Sequence, residues 1–173
     1  TLIHYPGAKA DNYTFPGRVT AIGSGAFAGC VRLTSVTIPD NVTTIGGDYS
    51  IGGAFQNCIG LTNVTIGNSV TNIGTSAFYG CTSLTSVTIG RCVTSIGDWA
   101  FAYCSRLTGV YCFGNAPSLG GVEVFRPEYY LPSTNLTVYY LQGTTGWEPT
   151  YGGPPTAPWH LPPEKYHDWS TTY

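Results

Sequence analysis

The chain has 173 residues, a net charge of −2 and only 9% charged side chains, well under the roughly 25% of ordinary soluble domains. Charge this sparse and balanced makes no basic surface for nucleic acid or an anionic membrane, and no stretch reaches the ~20 apolar residues that membrane insertion needs. Ser, Thr, Asn, Gly and Tyr cover the surface instead, which leaves little charge repulsion to keep molecules apart.

Taken from the start, Leu2-Ile3-His4-Tyr5 reads as a cap strand over whatever follows. No basic segment followed by an apolar one marks a signal peptide. The chain contains no Met and begins at Thr1, which fits a mature product trimmed after export, with a cloned fragment as the plainer alternative.

From residue 19 a phrase recurs. Val19-Thr20-Ala21-Ile22-Gly23 returns as Val42-Thr43-Thr44-Ile45-Gly46, Val70-Thr71-Asn72-Ile73-Gly74 and Val93-Thr94-Ser95-Ile96-Gly97, with starts 23, 28 and 23 residues apart. After each comes Ala-Phe, then a Cys three residues past the Phe, then Leu-Thr-x-Val. A fixed period of this size marks a solenoid, an architecture that mostly presents surfaces to partners.

Within one unit, Leu-Thr-x-Val-Thr-Ile predicts a short strand, because its residues are β-branched and its apolar positions lie two apart. Val36 and Ile38, Val64 and Ile66, and Val87 and Ile89 then face the core, while Thr37, Thr65 and Thr88 face outward. A Pro or Gly turn leads to Val-Thr-x-Ile, a second short extended piece that Gly ends. Ala-Phe predicts a single helical or 3₁₀ turn, with Phe27, Phe55, Phe78 and Phe101 stacked as an aromatic spine. Tyr13-Thr14-Phe15-Pro16 matches the strand one period earlier, and Val110-Tyr111-Cys112 and Val138-Tyr139-Tyr140 continue it.

The expected fold is therefore an α/β solenoid, mainly β, of about six rungs with short helical or 3₁₀ turns and an extended C-terminal tail. Residues 1–18 form an N-terminal cap and half repeat, and 19–115 hold four repeats. Residues 116–142 form a degenerate last repeat with an insertion, and 143–173 are the tail. The Gly-rich segment 46–53 carries five extra residues and is expected to bulge as a surface loop, and 116–135 reads as an irregular insertion.

Cys30, Cys58, Cys81 and Cys104 share one place in four repeats, which marks a ladder of small buried side chains. Cys92 and Cys112 lie outside it, and neighbouring coils bring them into range as a candidate disulfide in an oxidising compartment. No zinc-type spacing appears, so neither metal nor cofactor is expected. Asn12, Asn41, Asn63 and Asn135 open Asn-x-Ser/Thr sequons, candidate N-glycosylation sites in a eukaryotic setting.

The outward row of the strand sheet, Thr14, Thr37, Thr65, Thr88, Tyr111 and Tyr139, is the candidate binding surface, with Asn12, Ser35, Asn63, Ser86, Gly109 and Thr137 beside it. Rigid amphipathic Tyr rings suit protein or sugar contacts. The Asn and Gly neighbours and the terminal Tyr break the regular array that ice binding would need. In the tail, prolines forbid helix and central strand, yet Trp147, Tyr151, Trp159, Tyr166 and Trp169 are too aromatic for a solvated linker. The tail either wraps its own last coil as a cap or docks on a neighbouring molecule as an assembly joint. His4, His160 and His167 lie in no catalytic spacing, Gly23-Ser24-Gly25 belongs to a repeat turn, and His160, Glu164, His167 and Asp168 read as solvated rather than metal-binding, so no enzyme is expected.

The run Ile73-Gly74-Thr75-Ser76-Ala77-Phe78-Tyr79-Gly80-Cys81-Thr82-Ser83-Leu84-Thr85-Ser86-Val87-Thr88-Ile89 resembles the BspA-like leucine-rich repeats of bacterial surface proteins. Residues 1–7 look like the lead-in to such arrays, and 138–147 look like the module that often closes them. The resemblance covers residues 1–159. It implies a secreted or cell-surface leucine-rich-repeat protein that works by contact, often as an adhesin, without catalytic residues. Two functions follow from these observations. One is a structural subunit that assembles with itself end to end into a fibre or surface layer, motivated by the low charge, the stackable ends and the aromatic tail. The other is a monomeric adhesin or binding module that meets an extracellular protein or glycan on the strand-sheet face.

Overall fold

The structure, a computed structural model, describes residues 1, 12–121, 123–127 and 135–159. In chain order the strands are β1 (Asn12–Tyr13), β2 (Ala21–Ile22), β3 (Ser35–Ile38), β4 (Thr44–Ile45), β5 (Gly47–Asp48), β6 (Gly52–Gly53) and β7 (Asn63–Ile66). There follow β8 (Asn72–Ile73), β9 (Ser86–Ile89), β10 (Ser95–Ile96), β11 (Gly109–Cys112), β12 (Ser118–Leu119), β13 (Thr137–Leu141) and β14 (Thr156–Trp159). The Leu-Thr-x-Val-Thr-Ile segments make a parallel seven-stranded sheet in the order β1-β3-β7-β9-β11-β13-β14. The Val-Thr-x-Ile segments make a second parallel sheet of five strands, β12-β10-β8-β4-β2.

Register carries the repeat into three dimensions. Val36 pairs with Val64, Val64 with Val87, Val87 with Val110 and Val110 with Val138. Ile22, Ile45, Ile73, Ile96 and Leu119 pair in the same way across the second sheet. Each core position is thus a column of like side chains, and Val36, Ile38, Val64, Ile66, Val87 and Ile89 are all buried. Thr37 and Thr65 are exposed and Thr88 half-buried, the alternation a one-sided strand requires.

The Ala-Phe segments form a third face. None is helical; each is a turn closed by single i→i+3 bonds, such as the N–H of Cys30 donating to the Phe27 carbonyl at 3.1 Å. A helix cannot propagate here because the coils bond to one another instead. The N–H of Phe27 donates to the Ala54 carbonyl (2.7 Å), Phe55 to Ala77 (2.7 Å), Phe78 to Ala100 (2.8 Å) and Phe101 to Val124 (2.9 Å). The phenyl rings stack at centroid spacings of 4.8, 5.0 and 5.2 Å, nearly parallel.

Two of the irregular segments turn out ordered. Segment 46–53 is a hairpin rather than a loose loop, with β5 and β6 paired antiparallel. It lies so close to the next coil that a side chain on Gly47 would overlap the Thr75 carbonyl, and one on Gly53 the Ser76 carbonyl. Residues 116–127, expected as part of an irregular insertion, follow the repeat path. Leu119 takes the Ile place in β12, Phe125 stacks 5.8 Å beyond Phe101, and Val124 fills the Ala column. The expected cap strand at Leu2–Tyr5 lies outside the described residues.

The tail from residue 143 to 159 wraps back over the last coil. β14 pairs parallel with β13 and adds a seventh rung to the six expected. Trp147 stacks on Tyr140 at 5.4 Å, and Tyr151 is buried against Phe125 with its hydroxyl donating to the Pro117 carbonyl at 2.6 Å.

Phe78→Ala removes two stacks from the middle of the column and is expected to lower stability by about 3–5 kcal/mol, read from urea denaturation. Gly97 sits where an added Cβ would come within 2.5 Å of the Thr75 nitrogen. Gly97→Ala should therefore destabilise by about 1–3 kcal/mol, although the same change at an open site is neutral or stabilising.

Candidate functional site

The seven-stranded sheet aligns the expected outward row. Thr37 pairs with Thr65, Thr65 with Thr88, Thr88 with Tyr111 and Tyr111 with Tyr139, and Thr14 is exposed one residue past β1. The hydroxyls of Thr37, Thr65 and Thr88 have no hydrogen-bond partner among the described residues. Tyr111 and Tyr139 stack at 5.0 Å, 10° from parallel, and Trp159 meets Tyr111 edge-on at 5.6 Å. The row therefore runs from small free hydroxyls into an aromatic platform. In the neighbouring row, the Asn63 amide donates to the Ser86 hydroxyl at 2.7 Å.

Other threonines behave differently, a distinction the sequence reading missed. Thr62, Thr85 and Thr108 each donate a side-chain hydroxyl to the Thr carbonyl of the preceding coil, at 2.9, 3.0 and 3.3 Å. Thr43, Thr71, Thr94 and Ser118 do the same beside the second sheet, at 3.1–3.2 Å. These two ladders hold coils together, so the outward row is set apart by having no such internal use. The preceding residue does not separate the two kinds, since Thr37, Thr65 and Thr88 follow Val as Thr43, Thr71 and Thr94 do.

Cys30, Cys58, Cys81 and Cys104 are buried in one column beside the Phe stack. The thiols of Cys58, Cys81 and Cys104 donate to the carbonyls of Phe27, Phe55 and Phe78 at 3.1–3.2 Å. Burial pushes the Cys58, Cys104 and Cys112 thiols up to about 12 from the ordinary 9.0. The candidate Cys92–Cys112 disulfide is not formed: both are free, Cys112 facing the core from β11 and Cys92 exposed on a turn. Among the described residues no group of three His, Cys, Asp or Glu side chains could hold a metal ion.

The proposed assembly residues Trp147, Tyr151 and Trp159 are engaged within the chain. Trp147 packs on Tyr140 and Tyr151, and Trp159 on Tyr111 and Phe113. Their rings cover the last coil, so the tail to residue 159 is a cap. Tyr166 and Trp169, and the His160, Glu164, His167 and Asp168 cluster, lie outside the described residues. Of the sequons, Asn41 donates its amide to the Val19 carbonyl at 2.5 Å, which ties it to the preceding coil, whereas Asn135 is exposed. Asn12 stands in β1, opposite Ser35.

A family model for the BspA type leucine rich repeat region matches residues 5–120 in six copies. A leucine-rich-repeat protein of T. pallidum is similar in structure, with a TM-score of 0.63, 26% identity and coverage of 74% of this chain and 57% of its own. A leucine-rich cell surface protein of Faecalibacterium prausnitzii A2-165 is similar with a TM-score of 0.58 and 35% identity over 64% of this chain and 28% of its own. The chain thus spans about half the length of the first and about a quarter of the second. No curated protein matches it. Among the described residues no helix is long and apolar enough to cross a membrane.

The thiols give a direct check. A thiol reagent at pH 8 is expected to label Cys92 alone in the native protein, and all six cysteines after unfolding. The unfolded chain ionises its thiols near 9.0, while folded Cys58 and Cys104 resist to about 12. Their contribution to stability is therefore complete below pH about 9 and is lost as pH rises toward the folded values. The thermal midpoint should hold steady near neutral pH and fall above pH about 9.

Proposed function

The chain belongs to the BspA-type leucine-rich-repeat family, and from that premise we propose that it is a non-catalytic, extracellular or cell-surface binding module that grips a protein partner on its seven-stranded sheet face. The observation that carries this reading is the row Thr37, Thr65, Thr88, Tyr111 and Tyr139. It combines hydroxyls with no internal partner and a rigid stacked tyrosine pair on one surface. A partner strand or loop laid across the row would take hydrogen bonds from the threonines and bury the rings at one end. Stiff aromatic side chains lose little conformational entropy on binding, which is why such residues dominate interface energetics. The solved cell surface protein from Faecalibacterium prausnitzii supports the location.

Assembly into a fibre is the weaker reading. Its motive was an aromatic tail docking on a neighbour, and the described part of that tail, residues 143–159, lies on the chain's own last coil.

The test uses immobilised protein against a panel of purified matrix and serum proteins, with light scattering of the protein alone in parallel. Tyr139→Ala and the charge insertion Thr65→Glu are expected to weaken the strongest partner about tenfold or more, with circular dichroism unchanged. Binding indifferent to both substitutions would remove the sheet face as the site. Concentration-dependent growth of large particles would restore the fibre.

A further inference from the structure

The hairpin of β5 and β6 does more than bulge. With the turn face of the following coils it walls a cleft of about 320 Å³, lined by Asp48, Tyr49, Ser50, Ile51, Gln56, Ser76, Tyr79 and Trp99 among others. That volume is at the small end of the range for small-ligand sites. Its floor is aromatic. Tyr79 and Trp99 stack at 6.0 Å, and Tyr103 meets Tyr79 edge-on at 5.0 Å. Tyr49 stands at the rim, 75% exposed, beside Ile51 at 68%.

Several of its polar groups keep hydrogen-bonding capacity that the fold does not use. Ser76 is 8% exposed, and its hydroxyl has no partner among the described residues. The Gln56 side chain accepts from the Gly53 N–H through Oε1 at 3.1 Å, which leaves its amide Nε2 to donate. Neither the Tyr79 hydroxyl nor the Trp99 indole N–H has a hydrogen-bond partner among the described residues. The Asp48 carboxyl is fixed by the N–H groups of Ser50 and Ile51, at 2.8 and 2.6 Å, which hold it below the usual carboxylate range.

The backbone adds a separate sign. Ser76 and Trp99 hold φ of 57° and 59°, in the left-handed region, at the place where the first repeat has Gly25 at 68°. A bulky side chain in that region is strained, and a strained residue held at a cleft points to use rather than to packing. The aromatic residues are also local. At the position of Tyr79 the other repeats have Ala28, Gln56 and Ala102, and at the position of Trp99 they have Gly25, Gly53 and Ser76.

We propose that this cleft is a saccharide site that takes a neutral pyranose from a glycan, one sugar face lying on Trp99 and Tyr79. Apolar C–H faces of a pyranose match an aromatic floor, and its ring of hydroxyls matches Gln56 Nε2, the Ser76 hydroxyl and the Asp48 carboxylate. Asp48 lines the cleft and Asp98 accepts from the Tyr49 hydroxyl at 3.4 Å, while no Lys or Arg lines it. That charge disfavours sialylated and uronic sugars. The site shares no residue with the sheet face, so either can fail without the other.

The experiment is an array of neutral, sialylated and uronic oligosaccharides, followed by calorimetry with the strongest sugar. Binding confined to neutral glycans is expected. Trp99→Gly should weaken it about tenfold or more and leave the thermal midpoint equal or higher, since glycine is at ease at that φ. Tyr79→Ala should weaken it likewise, and Tyr139→Ala should leave it unchanged. A blank array, a preference for acidic glycans, or binding that survives both Trp99→Gly and Tyr79→Ala would overturn the proposal.

Discussion

Each core position of the repeat sits on a like side chain one coil away, and that constraint governs the rest. Parallel strands in register lie about 4.8 Å apart, so a residue in one rung meets the same position in the next at contact distance. Flat phenyl rings tolerate this spacing by stacking, and the centroids fall at 4.8–5.2 Å along the column. Thiols tolerate it because they are small and can donate to the Phe carbonyl beside them. Glycine after Ile is demanded by the same closeness: a Cβ at Gly46, Gly74, Gly97 or Gly120 would stand 2.5–2.7 Å from a backbone nitrogen of the preceding coil. The recurring phrase is thus a set of answers to one stacking problem. Stability is correspondingly nearest-neighbour in character, built from coil interfaces rather than from one central core.

The same constraint explains what the sequence made legible. Period, strand faces, the Phe spine and the Cys column all follow from residues that must match their copies, and matching is visible in a single chain. Less legible were places where the match is loose. Pro117-Ser118-Leu119-Gly120 and Val124-Phe125 keep the path of a coil with altered residues, so they passed for an insertion even though Leu119 stands 23 residues after Ile96. The hairpin at 47–53 was hidden because its strands are mostly glycine, chosen for lack of a side chain against the next coil and not for strand preference. The cap was half-visible: Trp147 and Tyr151 announced burial, but nothing in their order said which surface they would cover. On the seven-stranded sheet, the threonine row was readable from alternation alone, whereas the separation of free from bonded hydroxyls required coordinates.

Strain is distributed unevenly over this frame. Among the described residues, four other than glycine, Asn57, Ser76, Trp99 and Tyr103, hold φ between 57° and 59°, and all lie on the Ala-Phe turn face. Each such residue costs about 1–3 kcal/mol and persists only where neighbours over-determine the backbone. The coils supply that determination, because the N–H of Asn57 is bonded to the Tyr79 carbonyl, that of Ser76 to Asp98 and that of Tyr103 to Arg126. A turn tied on both sides can carry side chains that a free loop would not hold. The turn face is therefore the part of the surface where this chain can vary its chemistry most while leaving the stack intact, and it is where aromatic residues replace the small ones of the other repeats.

The two ends of a solenoid decide whether it grows or stops. An open parallel sheet offers unpaired N–H and C=O groups at its last strand, a template for another chain. Here the last described strand is β14, donated by the tail and containing Pro158, which lacks an N–H to offer a further strand. Behind it Tyr151 fills the end of the core column and Trp147 lies over Tyr140. Both the sheet edge and the apolar column are therefore closed at this end by the chain itself. Axial contact at this end would have to displace buried aromatic surface, whereas lateral contact meets free hydroxyls and exposed rings at no such cost. At this end, among the described residues, contact across the rungs is therefore less costly than contact that extends the stack.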